Sequence, residues 1–229
     1  MELYDVMRTT FAAREFTDQP VSDQQLYRIL DNARFAPSGG NRQGWKVIVV
    51  RDAAVRAEFV TLMRPVAQRY VAQMRAGESP FNTIAPSVVD AATVADTELP
   101  PGLTERLVTA PVVLVIGVDL KLVAAFDSAL PRVGIIAGAS IYPFVWNILL
   151  AARNEGLGGT LTTFLCAAEA RVQELLGLPR HIALAALVPI GKPRLQLTRL
   201  RRQKATNFAW IDRFEGEILK NPGKLSSDS

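Results

Sequence analysis

Apolar positions recur along this chain in two rhythms. Leu26, Ile29, Leu30 and Ala33 return every three or four residues, as do Val55, Phe59, Leu62, Val66 and Tyr70, and each series predicts an amphipathic helix. Three stretches are apolar at nearly every position: Trp45 to Val50, "PVVLVIGVD" from Pro111 to Asp119, and "IALAALVPIGKP". Their length and branched residues predict buried strands. Further helices are predicted over Leu3–Thr9, over an apolar run from Arg132 to Glu155 with a kink at Pro143, and over Val172–Leu176, closed by Gly177. "GLGGTLTTFL" reads as a turn leading into a strand.

Start and stop signals agree with this pattern. Ser22 and Gln25 stand at capping-box spacing, with Val21 and Leu26 placed as a hydrophobic staple. Pro37 ends that helix, and Asp52 caps the long one. From 77 to 102 the chain is loop-like, with Pro80, Pro86, Pro100 and Pro101, and it reads equally as a cover over a site or as surface loop. Residues 1–220 are expected to form one domain with a variable middle at 52–110, and 221–229 a disordered tail. Neither GxGxxG nor GxxxxGK[ST] occurs, so the prediction is an α+β fold around one central sheet, not a Rossmann or P-loop fold.

Composition narrows the chemistry. The 229 residues are 49% apolar and 21% charged, as in a folded soluble domain. No run reaches the roughly 18 to 20 apolar residues of a membrane span. "MELYDVMRTT" lacks the apolar core of a secretory signal, so a cytoplasmic protein without membrane contact is expected. Cys166 is the only cysteine and His181 the only histidine. An internal disulfide is excluded, and a Ser-His-Asp triad or a His-based metal site is argued against, which points to chemistry carried by a cofactor. The net charge is +4, and the clearest basic cluster is "RLRRQK", Arg199 to Lys204. It reads as a solvated face or a phosphate-binding segment. A nucleic-acid role is weaker, because no aromatic side chains interleave with the arginines.

Four separated stretches remain: "AAREF", "APSGGNRQGW", "NEGLGGTLTTF" and "GKPRLQLTRLRRQ". In this order and spacing they resemble the FMN-dependent nitroreductase family. The likeness covers nearly the whole chain except about 52–110. It implies a central, mostly antiparallel sheet flanked by helices, in an intertwined homodimer that exchanges its C-terminal tails. It also implies FMN as cofactor and NADH or NADPH as co-substrate. Hydride would pass through flavin N5, in ping-pong fashion, to a small-molecule electron acceptor such as a nitroaromatic, quinone or activated alkene.

The resemblance further implies which residues meet the flavin. Pro37, Ser38, Gly39 and Asn41 would lie along it from one subunit. Arg14 would stand near its N1 and O2 edge as an electrostatic stabiliser. Thr162 would sit beside the ring, with the backbone N–H groups of Thr163 and Phe164 toward N5 and O4. Arg202, helped by Arg201 or Arg199, would hold the phosphate. Two positions depart from the family pattern. Thr10, Phe11 and Ala12 replace an arginine-bearing segment whose first residue holds phosphate, and Gly44 replaces a proline, which is expected to loosen the loop. The alternatives are a flavin-sequestering protein of the same fold, a flavin-fragmenting or dehalogenating relative, and a nucleic-acid binder.

Overall fold

The computed structural model describes residues 1–220; the tail expected at 221–229 lies outside the described residues. By its contacts the chain divides into two compact units, Met1–Leu197 and the segment from Thr198 onward, where the sequence analysis takes 1–220 as one domain.

The first unit is built on strands β1 (Trp45–Val50), β2 (Val112–Asp119), β3 (Gly158–Gly159) and β4 (Ile182–Gly191). They form one sheet in the order β1-β2-β4-β3, and every pairing is antiparallel. Helices α1 (Leu3–Thr9), α2 (Asp23–Ala33), α3 (Ala53–Arg75), α4 (Ala91–Ala95), α5 (Tyr142–Asn154) and α6 (Glu169–Leu176) complete the predicted α+β architecture.

Alternation along the strands gives the sheet two apolar faces. Leu114, Ile116, Val188 and Ile190 pack against Leu26 and Ile29 of α2 and Phe144, Ile148 and Ala152 of α5. Val113, Val115 and Leu187 face the other way, against Phe59 and Met63 of α3, Leu165, and Val172 of α6. The predicted capping box at Ser22 and Gln25 is present, and Asp52 accepts from the N–H groups of Ala54 and Val55. Trp45 stacks on Phe144 with ring centroids 4.7 Å apart, which anchors the start of β1 in the core.

Four expectations change. The apolar run from Arg132 does not form one kinked helix: α5 begins only at Tyr142, with Pro143 in its first turn, where its missing N–H leaves no bond unmade. The preceding chain wraps around the buried carboxylate of Asp127, whose Oδ2 accepts from Arg132 Nη1 (2.7 Å) and the Ile135 N–H (2.7 Å). Beyond Gly159 no strand continues. The chain makes one bridge, Thr162 to Leu187, and turns into a 3-10 helix at Phe164–Ala168, because Phe164 and Leu165 fill the core against α3 instead of extending along β4. On α3 the buried stripe is Phe59, Met63, Ala67 and Val71; of the predicted apolar series only Phe59 belongs to it, and Leu62, Val66 and Tyr70 lie on its half-buried flank.

The fourth change concerns 77–102, read as loop-like throughout: it contains helix α4 and is fastened to α3. Gln68 Nε2 donates to the carbonyls of Ala95 (3.1 Å) and Thr97 (3.2 Å), and Arg75 donates to that of Glu98 (3.0 Å). Glu78 accepts from Gln73 Nε2, Ser87 Oγ and the Val88 N–H, and those bonds hold its carboxyl below the usual carboxylate range.

Candidate functional site

Arg14 is carried into position by backbone. Ala13 is fully buried, and its N–H donates to the Gly159 carbonyl at 3.0 Å, so residues 12 and 13 run beside β3 and Arg14 emerges at its border. That approach requires glycine: a Cβ on Gly159 would stand 2.6 Å from the Pro189 carbonyl oxygen, and one on Gly158 2.7 Å from Pro193 Cγ.

Arg14 lines a cavity of about 460 Å³ together with Leu161, Thr162, Thr163 and Phe164. Another part of its wall is formed by Tyr70 and Met74 of α3 with Leu103 and Leu107. Four of the predicted site residues, Arg14 and the consecutive Thr162, Thr163 and Phe164, therefore meet in one space. Their free groups point to a ligand. The guanidinium of Arg14 makes one long bond, to the Ala12 carbonyl at 3.3 Å. The Thr163 N–H has no partner among the described residues, and the Phe164 N–H has only a 3.4 Å contact with Thr162 Oγ1. Thr162 spends its own N–H and carbonyl on Leu187, which fixes the strand end.

None of Pro37, Ser38, Gly39 and Asn41 lines this cavity. Their loop continues from α2 and leads into β1, an edge strand, on the α2/α5 side of the sheet. Arg14 and Phe164 belong to the α3/α6 side, beside β4 and β3. The loop is a wound structure. Gly40, Asn41 and Gln43 all take positive φ (60°, 53° and 51°), a region costly for side-chain-bearing residues and free for Gly40. Ser38 Oγ accepts from the Gln43 N–H at 2.9 Å, and the Gly39 N–H donates to Ser140 Oγ at 3.1 Å. The Asn41 Oδ1 accepts from Gln43 Nε2 (3.1 Å), which leaves the amide N–H groups of Asn41 and the Gly40 N–H outward and without partners among the described residues. Gly44 is buried, its carbonyl accepting from the Asp119 N–H at 2.8 Å, so the loop is pinned where it was expected to loosen.

Arg201 and Arg202 belong to the second unit, where both are exposed and Arg202 Nη1 donates to the Arg201 carbonyl at 2.7 Å. Thr10, where an arginine was missed, is buried with its Oγ1 on the Val6 carbonyl at 2.8 Å. The missing charge is thus replaced by a helix-ending hydroxyl. Sequence reasoning overlooked Tyr70, Met74, Leu103 and Leu107 as site residues; they lie in the 52–110 segment that carries none of the four quoted motifs.

The chain is similar to known proteins along most of its length. The "NADH dehydrogenase" of Thermus thermophilus is 28% identical over 181 residues, covering 79% of this chain and 81% of the relative. The nitrobenzene nitroreductase of Ectopseudomonas oleovorans is 25% identical over 230 residues, covering 89% and 95%. Among solved structures, oxidised iodotyrosine deiodinase bound to FMN and 3-iodo-L-tyrosine superposes with a TM-score of 0.63 at 18% identity, over 89% of this chain and 96% of that one, a likeness of fold. The family model described as "Nitroreductase family" matches residues 7–192, and the chain belongs to that family.

Proposed function

We propose that the protein is an FMN-dependent NAD(P)H oxidoreductase whose site is completed by a second copy of the chain. Family membership supports the coarse class, a flavin oxidoreductase. The observation that carries the reading is that Arg14, Thr163 with its unpartnered N–H and Phe164 with its weakly held one line one 460 Å³ cavity. Such donors suit a flat heteroaromatic ring with polar atoms along one edge. A cofactor of this kind supplies two-electron transfer, taking hydride from a reduced nicotinamide and handing it to an organic acceptor.

The residues have separable tasks. Arg14 holds a positive charge where negative charge gathers on a reduced ring, and so favours reduction. The Thr163 and Phe164 N–H groups orient the ring without offering a side-chain base. Leu103, Leu107 and Leu161 keep water from the space. The Gly40 N–H and the Asn41 amide lie on the other face of the sheet, so they reach the same ligand only from a partner copy. Exposed Leu3, Tyr4, Tyr27, Phe35 and Trp146 supply apolar surface for such a dimer, and Phe208 and Phe214 supply it in the second unit. Arg201 and Arg202 are the candidates for the phosphate, through bidentate guanidinium contacts.

The test is the spectrum and turnover of purified protein. A yellow dimer that oxidises NADH or NADPH in the presence of menadione or a nitrofuran supports the reading. A colourless preparation that takes up no added FMN rejects it. A second reading, a flavin store without turnover, is favoured by Thr10, which leaves no cation at the family's first phosphate position. It predicts a yellow protein with no acceptor-dependent NAD(P)H consumption. The dehalogenating alternative is tested by adding a halogenated phenol and assaying released halide.

A further inference from the structure

This second part of the 460 Å³ cavity wall has a chemistry of its own. Tyr70 and Met74 come from the last turns of α3, and Leu103 and Leu107 from the chain entering β2. The Tyr70 ring leans on Phe164 with centroids 5.4 Å apart and planes tilted by 59°, which fixes where its phenol can point. The residue is half-buried, yet its hydroxyl has no hydrogen-bond partner among the described residues. The hydroxyl is reached by water, so it loses no bond in the free protein and stays open to a ligand in the adjoining cavity. Met74, Leu103 and Leu107 offer no strong donor or acceptor, so Tyr70 is the one hydrogen-bonding side chain on this wall.

We propose that this wall seats the electron acceptor, and that Tyr70 selects flat, uncharged aromatic acceptors by donating its O–H to their carbonyl or nitro oxygen. The proposal rests on the flavin reading and deepens it. Leucine and methionine side chains receive a planar apolar body, and a charged or strongly hydrated acceptor would lose its water against them without recompense. Arg14, the only charged residue lining the cavity among the described residues, repels cationic acceptors. Tyr70 is a positioning residue and keeps its proton. A quinone acceptor takes one hydride from the reduced cofactor and one proton from water, giving the hydroquinone.

The test compares two non-reducible ligands of nearly equal shape, 1-tetralone with a carbonyl and tetralin without one, titrated calorimetrically into FMN-loaded wild type and Tyr70→Phe. The variant keeps the ring that packs on Phe164. Tyr70→Phe should weaken 1-tetralone about fivefold, the equivalent of one neutral hydrogen bond of about 1 kcal/mol, and leave tetralin unchanged. In turnover the KM for menadione should rise by a similar factor while kcat holds. Equal weakening of both ligands, or no weakening of either, overturns the assignment while the flavin reading stands. A protein that takes up no FMN overturns both.

Discussion

The Ala13 N–H and the Gly159 carbonyl meet at 3.0 Å, and this bond joins the N-terminal segment to the sheet. Gly159 in turn pairs with Ile190 of β4, and Gly158 with Gly191. The cavity's one cation, Arg14, is therefore held by backbone geometry, through two glycines that let three stretches of chain come together.

Gly159→Ala should break that junction. The added Cβ would stand 2.6 Å from the Pro189 carbonyl oxygen and 3.0 Å from Leu149 Cδ2. Overpacking of this kind costs roughly 1–3 kcal/mol, or about 2–4 °C of melting temperature per kcal/mol for a chain of this size. Calorimetry measures the shift, and FMN uptake should fall with it, because Arg14 loses its mooring. An unchanged melting temperature would mean that β3 is not a structural joint.

Arg14→Ala should slow reduction of the protein by NAD(P)H by at least about tenfold, the scale on which removing one preorganised electrostatic contact acts. Rapid-mixing absorbance under anaerobic conditions reads this step alone. Truncation within 77–102 should act differently and mainly shift acceptor preference, since that segment leads into Leu103 and Leu107, which line the cavity. Equal reduction rates in wild type and Arg14→Ala would remove the role from Arg14.

How much of this was legible in the sequence follows from how local each cause is. The Ser22–Gln25 capping box, the cap at Asp52 and the stop at Pro37 act within a turn, and strands β1, β2 and β4 carry continuous apolar runs that admit few other readings. Helix α5 was overextended because Val133, Ile135 and Ile136 are apolar, although they are largely exposed and belong to the loop organised by Asp127. No periodicity reveals a buried carboxylate gathering backbone N–H groups from eight residues away. Arg14, Thr162, Thr163 and Phe164 were visible only as family motifs. Tyr70 looked like one more core position on α3, and only folding brings it to the cavity.

Cys166 lies on the 3-10 turn that follows Phe164, and burial pushes its thiol up to about 11. At pH 8 about one molecule in a thousand then carries the reactive thiolate. Native protein should react with a disulfide reagent far more slowly than a free thiol, with the rate climbing as pH rises toward 11, whereas denatured protein should react at once. Fast labelling of the folded chain at pH 8 would contradict the burial of this turn.

Arg28 on α2 and Glu155 at the end of α5 join the helices that cover one face of the sheet. Arg28 Nη2 stands 2.7 Å from Glu155 Oε2, and Nε 3.2 Å from Oε1. The Arg28 hydrogen bonds hold the Glu155 carboxyl below its ordinary value, so the unfolded chain binds that proton more readily than the folded one. Stability from the pair is then present above the ordinary carboxylate value of about 4.3 and is lost as pH falls through the lower folded value. Arg28→Met should be less stable than wild type to urea at pH 7, by a small margin because both side chains retain contact with water. The difference should shrink as pH falls below the ordinary carboxylate value and vanish once pH is below the lowered folded value, where Glu155 is protonated in both states. A gap of constant size from pH 7 to pH 3 would mean that the aliphatic packing of Arg28 carries its contribution, and not the ion pair.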